Sequence, residues 1–403
     1  MDERADVIGR IGGKLLDHKR ELAELMCEEM GKLTFEGEQE IELCAGICDY
    51  TAKEGPSHLA DESVVSLSGK RAIVTYSPQG VILGIQPWNF PAYQVVRYAV
   101  PNLLAGNTVL LKHASNVWGV AARLERLFWE AGLPDGAFQS LNVDHDVVEN
   151  LIRHRLVRGV TFTGSAKAGR KVAAVAGESL KKTVLELGSN DAYLILEDAD
   201  LTLTIGNCVN GRLNNSGQTC VAAKRFIVVD AIYDEFRDRF LEGMRNQTLA
   251  PLARGDLREK LHSQVLESVH RGAVCLLGGV IPEGDGYFYP ATILENVRPG
   301  MPAYGEEMFG PVAALIRARD EEDAIRIAND SEFGLGGGIF SADEERAVEI
   351  ARSRFDTGMV NVNGYQAAQP DLPFGGVKNS GYGREHGCFG IREFVNVKTI
   401  MMG

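Results

Sequence analysis

The chain has 403 residues, enough to bury a large core and to divide into more than one domain, since single cores stop growing near roughly 250 to 300 residues. Its 42 basic and 55 acidic residues leave a net charge of −13, which removes any general electrostatic attraction to nucleic acid or an anionic membrane; an anionic ligand would need a local basic pocket. Seven cysteines, odd in number and without a C-x-x-C pair, point to free thiols in a reducing compartment. The charged start Met1-Asp2-Glu3-Arg4 and the lack of an apolar run of about 18 residues argue against a leader or a membrane helix, and the expected location is the cytoplasm.

Along the chain, apolar residues at Ile8, Ile11, Leu15, Leu22, Met26 and Met30 predict one amphipathic helix from Ile8 to Met30, stopped by Gly31. A second helix is expected from about Phe35 to Ala52. Its Cys44 and Cys48 are four apart but lack further ligands, so no metal site is expected. Val64 to Tyr76 alternates around Ser68-Gly69-Lys70 as a β-hairpin. Short strands then alternate with helices: Val81 to Ile85, a helix near Tyr93 to Leu104, Val109 to Leu111, a helix from Val117 to Ala131, Val160 to Phe162, and a helix from Ala168 to Ala176. The second half repeats the pattern, with strands at 226–229, 274–277 and 312–316, helices at 233–245, 258–271 and 321–329, and a terminal strand within 390–402. Such alternation predicts an α/β chain of parallel βαβ units. The expected division is a first unit at 1–187 carrying the hairpin at 62–78, a second unit at 188–385, and a C-terminal strand at 386–403.

The chemistry concentrates in three segments. Asn214-Asn215-Ser216-Gly217-Gln218-Thr219-Cys220 delivers one cysteine from small, polar, turn-forming residues, the setting of a presented nucleophile and not of an inert core thiol. In Pro87-Trp88-Asn89-Phe90-Pro91 the Asn89 carboxamide can donate to an oxyanion without titrating; the other reading is a cap for the helix that follows. Glu186 lies in Val184-Leu185-Glu186-Leu187-Gly188, where burial would raise its pKa toward working pH and suit it as a general base; the alternative is an ion-pair partner.

In order and spacing these segments resemble the NAD(P)-dependent aldehyde dehydrogenases. Asn89 and Lys112 stand 23 residues apart and Glu186 and Cys220 stand 34 apart, as in that family. The resemblance extends through Phe162-Thr163-Gly164-Ser165, Glu306-Glu307-Met308-Phe309-Gly310-Pro311 and Pro373-Phe374-Gly375-Gly376-Val377-Lys378, and so covers almost the whole chain. It implies a Rossmann-type dinucleotide-binding domain, an α/β catalytic domain and a β oligomerisation segment. It implies a catalytic trio of Cys220, Glu186 and Asn89, and a homodimer or homotetramer. By the same resemblance Lys112 and Glu307 hold the adenosine and nicotinamide riboses, Phe309 packs near the nicotinamide, and Gly164 and Ser165 open a helix beside the pyrophosphate. Trp88, Leu187 and Ser115 complete the expected cofactor site. There is no G-x-G-x-x-G run; a helix N-terminus still suits a phosphate. A carboxylate three residues beyond Lys112 would favour NAD, and Ser115 stands there instead, so NADP is expected to be accepted, alongside NAD.

Leu111-Lys112-His113-Ala114, Gly211-Arg212 and Ala222-Ala223-Lys224-Arg225-Phe226-Ile227 look like the bacterial succinate semialdehyde dehydrogenases, which implies that Arg97 faces the distal carboxylate of the aldehyde. The alternative is an arginine on the surface of its helix. The chain departs from many of those enzymes in carrying Asn214 six residues before the cysteine and Arg212 eight before, which keeps another short or aromatic aldehyde open as substrate. It also begins at the first amphipathic helix, where the family has several dozen further residues; a truncated form or a start-site difference is expected to affect cofactor binding or stability and not the trio. Two rival classes remain. An acyl transferase passing the thioester to coenzyme A or phosphate would lack Glu186, and a non-catalytic protein on the same fold would lack Cys220.

Overall fold

A computed structural model of the chain describes residues 1–366 and 368–403. The periodic apolar stripe of the N-terminal region forms two helices, Asp2–Asp17 and Lys19–Met30, with the break at His18. Both pack on the long helix Thr34–His58, burying Ile8, Ile11, Leu15, Leu22 and Met26. The stripe therefore has the expected face but not the expected continuity. Gly31 ends the second helix in the left-handed conformation, at φ 81°, where a β-carbon is unfavourable.

Three larger sheets and one two-stranded sheet, Phe333–Gly334 with Val377–Lys378, organise the rest of the described residues. The first has six strands, in the order Gly381–Tyr382, Lys182–Glu186, Val157–Thr163, Val81–Gln86, Thr108–His113 and Phe138–Ser140. All but Gly381–Tyr382 run parallel. The βαβ rhythm forces this direction, because crossover helices such as Tyr93–Ala105 and Ala166–Glu178 return the chain to the same end. Gly381↔Glu186 and Tyr382↔Leu185 pair antiparallel, so the expected 188–385 unit lends its last strand to the first sheet.

A second sheet of seven strands has the order Val274–Leu277, Thr292–Glu295, Val312–Ala318, Arg225–Val229, Ala192–Ile195, Gly337–Phe340 and Asn361–Val362. Its central strands, such as Arg225–Val229, are buried throughout and read as continuous apolar runs, as parallel strands covered on both faces do. The third sheet joins Glu62–Val65, Arg71–Pro78 and Val395–Met401, so the hairpin and the terminal strand form one unit. Among the described residues no helix is long and apolar enough to cross a membrane.

Candidate active site

A cleft of about 840 Å³ opens where the parallel strands of the first sheet end and the second sheet begins. Sheets of this kind bind ligands at the carboxyl ends of their strands. Trp88 and Asn89 enter from the loop after Val81–Gln86, Gly164 and Ser165 from the loop after Val157–Thr163, and Leu187 from the end of Lys182–Glu186. Cys220, Glu307 and Phe309 come from the opposite side. One cleft therefore gathers eight of the residues expected from sequence. The helix Gly255–His270 adds Leu257, Lys260, Leu261 and Gln264, which sequence reasoning missed. Their spacing of three, one and three is a helical stripe, and nothing in the sequence says which wall it lines.

The Cys220 turn is held against its own preference. Asn215 (φ 53°), Ser216 (φ 52°) and Gly217 (φ 74°) are successive left-handed residues, which costs roughly 1–2 kcal/mol at each residue bearing a β-carbon. Only glycine fits the third position, since a β-carbon there would collide with the Gly310 carbonyl. Buried hydrogen bonds offset the strain. Glu36 Oε1 accepts from Asn215 N at 2.8 Å, Ser216 Oγ donates to Ala250 O at 3.0 Å, and Ala253 N donates to Gln218 Oε1 at 3.0 Å. The Cys220 thiol is pushed up to about 12, first by burial; Arg97 and Lys224 pull it down, while Glu186 and Glu307 push it further up.

Asn89 does not cap the following helix. Glu40 does, with Oε1 accepting from Ala92 N at 2.8 Å and Tyr93 N at 2.9 Å. The Asn89 carboxamide instead donates Nδ2 to Gln218 O at 3.0 Å, two residues before Cys220. The Asn89 main-chain carbonyl takes hydrogen bonds from Lys32 Nζ at 2.9 Å and Asn215 Nδ2 at 2.8 Å, and Lys32 pairs with Glu40 at 2.5 Å in a fully buried contact. The helix Thr34–His58 thus fixes both loops that meet at the thiol. Asn89→Ala is expected to lower kcat on the order of 100-fold with little change in aldehyde KM, measured by steady-state kinetics.

Glu186 is buried, and among the described residues neither carboxylate oxygen has a hydrogen-bond partner. Burial pushes it up to about 8; Arg97 and Arg384 pull it down and Glu385 pushes it up. Its Oε1 lies against Gly375, where a β-carbon would come within 2.8 Å, and Glu186 itself does not line the cleft, although the next two residues, Leu187 and Gly188, do. Gly188 in turn makes room for Glu307, whose Oε2 would meet a β-carbon at 2.6 Å.

The residues expected to hold a dinucleotide fit one. Ser165 caps the thirteen-residue helix Ala166–Glu178, accepting from Ala168 N, and leaves the remaining first-turn N–H groups toward the cleft mouth. Trp88 and Phe309 meet edge to face at 5.9 Å on the cleft wall. Glu307 Oε1 accepts from Ser189 N at 2.9 Å, and burial raises the carboxyl while Lys224 lowers it. Lys112 lies outside the cleft proper, at the end of Thr108–His113, with exposed Ser115 beyond it. Among the described residues the Lys112 ammonium has no ion-pair partner, and burial holds it below its ordinary value while Asp144 acts the other way.

The substrate residues are placed differently. Arg97 is wholly buried on Tyr93–Ala105, its Nε 2.5 Å from Glu385 Oε2 and its Nη2 donating to Thr163 Oγ1 at 2.8 Å. It lines neither the cleft nor the cavity beside Val221, so it is neither the free guanidinium nor the surface arginine that sequence suggested. Among the described residues Arg97 Nη1 has no hydrogen-bond partner. Arg212, also buried, donates Nη2 to Gly217 O at 2.8 Å and so braces the turn before Cys220; its Nε and Nη1 have no partner among the described residues. Asn214 ends the helix Leu201–Leu213, and its carbonyl accepts from Thr219 Oγ1 at 3.2 Å. Arg97 is drawn inward by Glu385 and Thr163, distant in the chain, whereas Arg212 is held by a carbonyl five residues on.

A thiol and an amide donor in a cleft whose residues fit a dinucleotide, with a buried carboxyl nearby, are the parts an oxidoreductase needs. The chain belongs to the aldehyde dehydrogenase family, whose model matches residues 1–400. It is 45% identical to the succinate semialdehyde dehydrogenase (NAD(P)+) Sad of Escherichia coli strain K12, across 99% of this chain and 88% of that protein. The succinate-semialdehyde dehydrogenase (NADP+) of Deinococcus radiodurans is likewise 45% identical, across 99% of this chain and 86% of its own length. The crystal structure of succinic semialdehyde dehydrogenase from Streptococcus pyogenes in complex with NADP+ superposes with a TM-score of 0.97 at 38% identity, covering 100% of this chain and 90% of that one.

Proposed function

We propose that the chain oxidises succinate semialdehyde to succinate with NADP+, and also NAD+, through a thioester on Cys220. The observation that carries the reading is the meeting of Cys220 and Asn89 in one cleft with Glu307 and the Gly164-Ser165 turn, with buried Glu186 next in the chain to its wall residue Leu187. Cys220 sulfur forms a bond to the aldehyde carbon as the thiol proton passes to solvent water, and the carbonyl electrons move to oxygen. The Asn89 amide and the Cys220 N–H are the donors for that oxyanion. The nicotinamide cofactor, which Trp88, Glu307, Phe309 and the Gly164-Ser165 turn would hold, would supply the hydride acceptor, leaving the acyl carbon as a thioester on Cys220. Glu186 then takes a proton from water; the water oxygen bonds to the acyl carbon, the carbon–sulfur bond breaks, and the thiolate returns. The intact Glu186 speaks against transfer of the acyl group to another acceptor.

The substrate rests on the names of the relatives. Arg97, ion-paired with Glu385 and outside the cleft, acts on Cys220 and Glu186 as a buried positive charge and is not the contact for the distal carboxylate. NADP+ is favoured by unpaired Lys112 with Ser115 beside it, and all seven cysteines carry free thiols, in keeping with a reducing compartment. The third sheet exposes Val65 on one outer strand and Val397 and Met401 on the other, apolar groups that a homo-oligomer would cover.

Reduced-cofactor absorbance with a panel of aldehydes and both cofactors tests the reading. Succinate semialdehyde is expected to give the highest kcat/KM, and Ser115→Glu to lower kcat/KM for NADP+ about tenfold or more while sparing NAD+. Good turnover of an uncharged aldehyde with none of succinate semialdehyde would overturn the substrate.

A further inference from the structure

The run Ala222-Ala223-Lys224-Arg225-Phe226 carries two cations into the buried start of a central strand. Arg225 has a structural task, with its guanidinium donating to Asn190 O at 3.1 Å and to Ile327 O and Ala328 O, both at 2.9 Å, at the end of the helix Glu321–Asn329. Lys224 turns the other way, beneath the nucleophile. Its side chain is fully buried, and Nζ donates to Cys220 O at 2.6 Å, Ser189 Oγ at 3.0 Å, Ala222 O at 3.1 Å and Thr219 O at 3.3 Å. An ammonium has three hydrogens, so four oxygens saturate it, and a buried cation persists only where such oxygens replace water.

The two contacts that matter are those to Thr219 O and Cys220 O, because they belong to the two peptide planes flanking the nucleophile. A trans peptide points its N–H away from its carbonyl. With the Thr219 carbonyl drawn to Lys224, the Cys220 N–H points away from it, and among the described residues nothing accepts that hydrogen. Ser189 extends the clamp: its Oγ donates to Cys220 O and its N–H to Glu307 Oε1 at 2.9 Å, while Lys224 Nζ stands 4.0 Å from the same oxygen.

We propose that Lys224 is a positioning residue of the reaction, its ammonium fixing both peptide planes of Cys220 and tying the nucleophile turn, through Ser189, to the Glu307 carboxylate. This rests on Cys220 being the nucleophile. The clamp also gives the thiolate a nearby cation. The charged and titratable groups acting on Cys220 are Arg97 and Lys224, opposed by Glu186 and Glu307, with the Tyr93 and Tyr365 phenols alongside. Those acting on Lys224 are Glu307, Asp191, Arg212 and Cys220.

The test compares Lys224→Met and Ser189→Ala with wild type in the cofactor-free enzyme. Alkylation of Cys220 by iodoacetamide is followed against pH by peptide mass spectrometry, alongside kcat, KM and a thermal melt. Lys224→Met is expected to move the alkylation midpoint up by about one pH unit and to lower kcat about 10- to 100-fold with aldehyde KM little changed. Ser189→Ala, which keeps the lysine and loses the link, is expected to lower kcat less and carries the test if Lys224→Met does not fold. A wild-type alkylation profile and kcat in the folded variants would overturn the proposal, as would a lowered melting temperature with both readouts unmoved. If Cys220→Ala stays active, the nucleophile reading fails first; if it is inactive while the Lys224 and Ser189 variants behave as wild type, only the positioning role fails.

Discussion

Cys220→Ala is expected to abolish oxidation of every aldehyde, a loss on the order of 10⁴-fold or more, while the fold and the cofactor site persist. The thiol partly lines the cleft and is held from below, so removing its sulfur leaves no hydrogen bond broken. Arg212, Asn215 and Lys224 still bond to the main chain of the turn or, for Asn215, to its neighbours. Stability should therefore change little. Cofactor binding by fluorescence titration and a thermal melt, run beside the activity assay, separate a lost nucleophile from a lost fold. Full activity in a folded Cys220→Ala protein would end the thioester mechanism for this chain.

Glu186→Gln is expected to separate the two halves of the reaction. Acylation needs the thiol and the oxyanion donors, none of which the substitution touches, so one equivalent of reduced cofactor should appear as a burst. Hydrolysis of the thioester then lacks its base, and the steady state is expected to fall on the order of 10²- to 10⁴-fold. The sign of the pH effect follows from the raised carboxyl. A base must be ionised to accept a proton; with Glu186 pushed up to about 8, most molecules hold it protonated at lower pH. The wild-type steady-state rate should rise with pH through about 8, and that limb should vanish in Glu186→Gln. An unaltered pH profile and no burst in the variant would assign the base to another group.

The residues proposed to do the chemistry stand out in the sequence because each breaks a local rule. Cys220 follows a polar turn, Glu186 interrupts an apolar strand and Asn89 sits between prolines where a helix should start. What was not legible depends on partners far away in the chain. Arg97 looks available for a substrate until Glu385 folds against it, and the alternative of Asn89 as a cap fails only because Glu40 takes that place. Lys224 is visible in the sequence as a charge in an apolar run, but the four oxygens that explain it are set by the turn geometry. The same limit applies to the fold. Strand and helix positions followed from period and turn residues, whereas the break at His18 and the return of Gly381–Tyr382 to the first sheet followed from tertiary packing.

The central claim is that an acyl group passes through Cys220 and waits there for Glu186. The most direct measurement mixes Glu186→Gln enzyme with succinate semialdehyde and NADP+, quenches in acid, and reads the Cys220 peptide by mass spectrometry. A succinyl group on Cys220, in amount equal to the burst of reduced cofactor, is the predicted result. Reduced cofactor formed with an unmodified Cys220 peptide, or an acyl group on another residue, would contradict it.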